Sequence, residues 1–180
     1  MHKRLLATIT VLLLLTTAAT AATPKRAPAF TQTAAAAWIN SEPLSMRALR
    51  GKVVLIDFWT FACWNCYRSF PWLNTLEAEF ADAPLQVIGI HSPEFDYERE
   101  RDEVVKQAAK FGLKHPIMLD NDFRFWRAMD NQYWPAFYLI DAKGRVRHTY
   151  IGETHAGDKQ AKRIERDIRA LLAEADNEQP

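Results

Sequence analysis

Val53-Val54-Leu55-Ile56-Asp57-Phe58-Trp59-Thr60-Phe61-Ala62-Cys63-Trp64-Asn65-Cys66 is the stretch on which the fold turns. Its apolar run, Val53 to Ile56, reads as a buried strand. An amphipathic helix follows, with Cys66, Phe70, Leu73, Leu76 and Phe80 on one stripe. The only two cysteines of the chain therefore fall at a strand-to-helix junction, with two residues between them. The first meets the unpaired N–H groups and positive dipole end of the helix, which favour thiolate over thiol. The second lies about one turn in, close enough to bond to the first.

A structural staple and a metal site are the competing readings of Cys63 and Cys66. A staple across so short a loop removes little chain entropy, about 2 kcal/mol. A closed zinc site wants four ligands, and the sequence offers neither a second cysteine pair nor a nearby histidine pair. Redox exchange suits the pair best. Cys63, nearest the helix end, is then the expected nucleophile, and Cys66 the residue that resolves the mixed disulfide.

Outward from this junction, the chain alternates strands and helices. Strands are predicted over Leu85–Ile90, Ile117–Leu119, Phe137–Ile140 and Val146–Ile151, the last two flanking a turn at Asp141-Ala142-Lys143-Gly144. Helices are predicted over Glu98–Phe111, Phe123–Met129 and from Asp158 onward, where Ile164, Ile168, Leu171 and Leu172 share a face. Trp38 to Arg50 reads as a short element mixing helix and turn. This order implies a mixed α/β layer fold. Chemistry in such sheets gathers at the carboxyl ends of parallel strands, which places Trp59 and His91 near the cysteines.

In these residues the chain resembles the thioredoxin-like superfamily, and within it the TlpA/ResA-type thiol–disulfide oxidoreductases. It is most similar to the thioredoxin-like segment of DipZ-type proteins, with their Trp-Thr-x-x-Cys-x-Asn-Cys signature. The resemblance runs through Trp38–Leu44, Gly51–Pro71, Val87–Phe95, Asp120-Asn121-Asp122 and Tyr133-Trp134-Pro135-Ala136 to Asp141. It implies a thioredoxin-like α/β fold, a central mixed sheet flanked by helices, with a TlpA-like insertion between Glu94 and Leu119. It implies disulfide exchange with protein thiol substrates and a redox partner protein, in the reductive direction, without a cofactor. Asp57 matches the buried acid that exchanges a proton with the resolving cysteine. Pro135 matches the cis-proline that lies opposite the cysteines and holds the substrate backbone. Trp64 and Asn65 replace the Gly-Pro of thioredoxin. Ser69 stands where many TlpA-type members carry a glutamate, which leaves proton handling to Asp57 or water.

The remaining candidates are weaker. Trp59, Trp64, Asn65, His91, Trp134 and Pro135 are expected to line the substrate surface. His115, His148 and His155 lack ligand spacing and read as surface residues, and the run Asp96–Glu103 reads as a solvated helix face. A copper-binding chaperone and a non-catalytic recognition domain of the same fold are the alternative functions. Copper chaperones of this fold commonly space their cysteines by three, which counts against the first.

Residues 1–22 have the composition of an export signal or N-terminal anchor. His2, Lys3 and Arg4 precede an apolar run, Leu5–Leu15, and Ala19-Thr20-Ala21 forms a small-residue cleavage site. The run is short for a bilayer span. Loss of Lys3 and Arg4 would turn a net charge of +1 into −1, with no basic patch to suggest nucleic acid as a partner. Membrane contact is expected only through this segment. Export to an oxidising periplasm would make the cysteine pair chemically meaningful. Residues 23–29 read as a linker, 30–175 as one thioredoxin-like domain and 176–180 as a loose tail.

Overall fold

The computed structural model describes residues 24–177; the predicted leader and the last three residues lie outside them. Ten regular elements follow in order: β1 (Trp38–Ile39), β2 (Val53–Trp59), α1 (Trp64–Glu79), β3 (Leu85–His91), α2 (Arg101–Lys110), β4 (Ile117–Leu119), α3 (Arg124–Ala128), β5 (Ala136–Ile140), β6 (Val146–Ile151) and α4 (Lys159–Asp176). Short 3-10 turns occupy Ala35–Ala37 and Asp96–Arg99.

The strands form one six-stranded sheet in the order β1-β4-β3-β2-β5-β6. β2, β3 and β4 run parallel, while β1, β5 and β6 pair antiparallel with their neighbours. This is the thioredoxin-like α/β fold, with α2 and β4 added between β3 and α3.

Period-2 alternation along β2 divides the core. Val53, Leu55 and Trp59 pack on one face with Cys66, Phe70, Leu73 and Leu76 of α1 and Ile164, Ile168 and Leu171 of α4. Val54, Ile56 and Phe58 pack on the other with Phe30, Trp38, Met46, Leu49 and Phe125. Every residue of β2 is buried, as a strand covered on both faces requires. Asp57 is therefore an acid inside the molecule.

Three expectations need correction. Trp38-Ile39 is an edge strand paired with Ile117-Met118, although two residues carry no readable period. The helix expected from Glu98 begins at Arg101, because Glu98 belongs to the separate 3-10 turn. The tract read as a linker is docked where it is described. Lys25 O accepts from Val146 N at 2.9 Å, and Ala27 N donates to Gly144 O at 3.0 Å.

Candidate active site

The cysteines sit where the carboxyl end of β2 turns into α1. Cys63 is the N-cap of α1, with extended backbone, and its sulfur accepts from Cys66 N at 3.2 Å. Its carbonyl takes the next helical N–H groups, from Cys66 and Tyr67, at 3.1 and 3.3 Å. Cys63 and Cys66 are joined in a disulfide, Cα to Cα 5.3 Å. Cys63 is half-exposed, whereas Cys66 is wholly buried among Trp59, Phe70 and Leu73. On reduction the outer sulfur would meet both solvent and the helix N–H groups, which lowers a thiol's pKa.

Asp57 lies two residues before the end of β2, on the face that carries Cys66. Burial, with the Glu77 carboxylate adding to it, pushes its pKa up to about 8. Its Oδ1 has no hydrogen-bond partner in the protein. An acid in that condition holds a proton at neutral pH and can exchange it with a neighbouring thiol.

His91 ends β3 beside Trp59 in register. Both are completely buried, which corrects the expectation that they line a substrate surface. Their rings meet edge to face at 4.9 Å, and Phe61 covers His91 from the cysteine loop. His91 Nε2 is 3.4 Å from Thr60 Oγ1. Burial, only partly offset by Glu98, lowers the His91 pKa to about 4, so the ring is neutral.

Glu98 is the residue that sequence reasoning missed. It is fully buried, not on a solvated face. One carboxylate oxygen accepts from the Thr60 hydroxyl and from Ala62 N at 2.8 Å. The other accepts from Glu94 N and Phe95 N at 2.8 and 2.9 Å. Glu98 thus fastens the loop before Cys63 to the turn after β3. An acid three residues into a turn, reaching back to its opening N–H groups, was the one local sign available. His115, also expected at the surface, is buried with Nδ1 2.8 Å from Glu77 Oε2.

The exposed candidates lie around the pair. Trp64 is 62% exposed and Asn65 is exposed beside it at the start of α1. The Trp134–Pro135 peptide is cis, as expected, and Ala136 pairs with Phe58, which sets Pro135 across from Trp59. Trp134 Nε1 donates to Ser92 O at 3.1 Å, and its ring packs 4.3 Å from that of Trp126. Phe95, Tyr97 and Tyr133 are also exposed aromatics, unmarked by any sequence signal. Ser69 spends its hydroxyl on structure, donating to Asn65 O and accepting from Thr154 N. Among the described residues no three His, Cys, Asp or Glu side chains gather as a metal site would require. His148 is half-buried and His155 exposed.

Comparison with known proteins agrees with this geometry. The family profile described as Redoxin matches residues 22–168. Protein DipZ of Mycobacterium tuberculosis is 44% identical over 141 residues, 77% of this chain and 20% of that protein. The chain thus spans about a fifth of the length of that curated relative. Thiol-disulfide oxidoreductase YkuV of Bacillus subtilis is 29% identical over 140 residues, 78% of this chain and 90% of that protein. A thiol:disulfide interchange protein DsbE from Chlorobium tepidum superposes with a TM-score of 0.70 at 23% identity, covering 83% of this chain and 96% of its own.

Proposed function

The chain belongs to the Redoxin family, and we propose that it is an exported thiol–disulfide oxidoreductase that reduces disulfides of protein substrates through Cys63 and Cys66. One observation carries the reading. A half-exposed cysteine caps a helix, its partner is buried behind it, and a protonated acid sits on the same sheet face.

The Cys63 thiolate attacks a substrate disulfide, forming a mixed disulfide and releasing one substrate thiolate. Asp57 gives up its own proton, and the carboxylate so formed takes the proton of Cys66, which attacks Cys63 Sγ. The second substrate thiolate leaves, and the Cys63–Cys66 disulfide closes. A redox partner protein returns two electrons and restores the dithiol. Trp64, Asn65, Trp134 and Pro135 form the surface against which an extended substrate lies, while Trp59 and His91 support it from within. The composition of residues 1–22 supports export, to the periplasm. The reductive direction rests on the TlpA/ResA likeness.

Two measurements test this. Cys66→Ser should trap mixed disulfides with partner proteins and Cys63→Ser none; the opposite pattern would reverse the two roles. Equilibration with glutathione should give a reduction potential near the roughly −270 mV of thioredoxin, whereas a value near the −120 mV of DsbA would make the protein an oxidant.

A further inference from the structure

Two buried polar atoms without a protein partner lie against the only residue of β2 and β3 that has no side chain, and a third belongs to the residue paired with it. Gly89 stands beside Asp57 in the register of these strands. A Cβ placed on it would come within 2.8 Å of Trp59 Nε1, 3.1 Å of His115 Nε2 and 3.2 Å of Ile117 Cγ1. Asp57 Oδ1, Trp59 Nε1 and His115 Nε2 each lack a hydrogen-bond partner in the protein. Buried polar atoms are almost always paired, so two orphans against Gly89 and a third on its strand partner Asp57 mark something beyond packing.

His115 links this spot to the outside. Its side chain is 0% exposed, and Nδ1 lies 2.8 Å from the carboxylate of Glu77, which is 26% exposed. A carboxylate only accepts, so Nδ1 carries a proton, and in the neutral ring Nε2 then holds a lone pair on the side of Gly89. Glu77 is also the charge that acts on Asp57. We propose that His115 and Glu77 form a proton relay that connects Asp57 to solvent over Gly89. They are positioning residues that act through Asp57 and never touch the sulfurs.

The relay rests on Asp57 being the proton acceptor of the proposed reaction. When Cys66 closes the disulfide, Asp57 passes its own proton to His115 Nε2 and takes that of Cys66 in its place. Nδ1 gives its own proton to Glu77, which releases it to water. No electron moves along this path. When the redox partner restores the dithiol, one proton returns to Cys66 by the same route and resets the imidazole tautomer. The titratable groups that face the path are Asp57 from β2, Glu77 from α1, His91 from β3 and His115 itself, with Glu98 behind His91. Lys114, next to His115, is exposed. Gly89 matters because any side chain there would occupy the crossing.

The test is stopped-flow reaction of the reduced full chain with 5,5′-dithiobis(2-nitrobenzoic acid), which reports attack by Cys63 and then resolution by Cys66. In dilute buffer at pH 7, Glu77→Gln and His115→Phe should slow resolution about tenfold, below the roughly hundredfold or more of a direct acid–base group. The first attack should be unchanged. Added imidazole should restore the Glu77→Gln rate, since a mobile base can then take the proton from His115. Slowing that ignores buffer concentration would overturn the relay, because a packing defect does not respond to a proton carrier. If Asp57→Asn slows resolution while Glu77→Gln and His115→Phe match the parent, the relay is wrong and the role of Asp57 stands. If Asp57→Asn has no effect, both fall. Should His115→Phe not fold, the half-exposed Glu77→Gln decides alone.

Discussion

Asp57 works against folding at neutral pH. Its carboxyl titrates at about 8 in the fold against 3.8 for a free side chain. Between those values the folded chain binds more protons than the unfolded one. Its contribution to stability is therefore complete below about 3.8 and is lost as pH rises through about 8. Asp57→Asn removes the titrating group at constant size. At pH 7 the variant should be more stable than the parent by on the order of 4 kcal/mol, a gap that closes toward pH 4. Urea unfolding of the oxidised protein at each pH reads this directly. A gap that stays constant from pH 4 to 8 would mean that Asp57 is ionised in the fold. His91 has the opposite sign. Its pKa is lowered from 6.5 to about 4. Its contribution is present above 6.5 and lost as pH falls through about 4. His91→Gln should flatten that acid limb, and an unchanged limb would place the titration elsewhere. A site that keeps an acid protonated and an imidazole neutral holds its resting interior uncharged.

At the scale of elements, the Cys63 loop is held by a turn rather than by the sheet. Glu98 accepts from Thr60, Ala62, Glu94 and Phe95, so one carboxylate joins the start of α1 to the turn after β3. Glu98→Ala would orphan those donors, at about 1–3 kcal/mol for each one that water fails to reach. A destabilisation of about 3 kcal/mol or more is expected, with faster amide exchange at Ala62, Glu94 and Phe95 than at β5. Uniform exchange across these positions would show that Glu98 is not the fastener. This contact also marks where the sequence stops being readable. β2, β3, α1 and α4 were legible because burial repeats along each with its own period, as in Ile164, Ile168 and Leu171. Asp158 was legible as the cap of α4 because its side chain bonds a group three residues away, Ala161 N. Glu98 and His115 were not, since their partners Ala62 and Glu77 lie 36 and 38 residues distant. A charged residue reads as solvated until the fold supplies such a partner. Trp59 was placed correctly at the end of β2, yet its burial depends on His91 and Phe70, which only the closed layers bring against it. β1 exists only because Ile117 and Met118 offer it an edge.

Across the whole molecule, β2 separates two cores with different tasks. The face that carries Trp59, Cys66 and α1 supports the redox pair. The opposite face is closed by residues that precede the sheet, above all Phe30, which is 7% exposed. Its ring meets Trp38 at 5.3 Å and Phe125 at 5.2 Å. Just before it, Lys25 and Ala27 add backbone bonds to the β5–β6 hairpin, so the start of the folded unit is attached at two points. The described part of the tract that reads as a linker is therefore packed onto the fold. Deletion of residues 1–23 should leave stability unchanged. Deletion through Phe30 removes a buried aromatic ring and should cost about 3–5 kcal/mol, the usual cost of emptying such a site. Phe30→Ala in the longer chain should reproduce most of that loss. Resolution by Cys66 should keep its rate in every variant that remains folded, because the altered core lies behind the sheet. Equal stability of the two deletions would show that the opposite core closes without Phe30. A resolution rate that falls with Phe30→Ala would show that the two faces are coupled through β2.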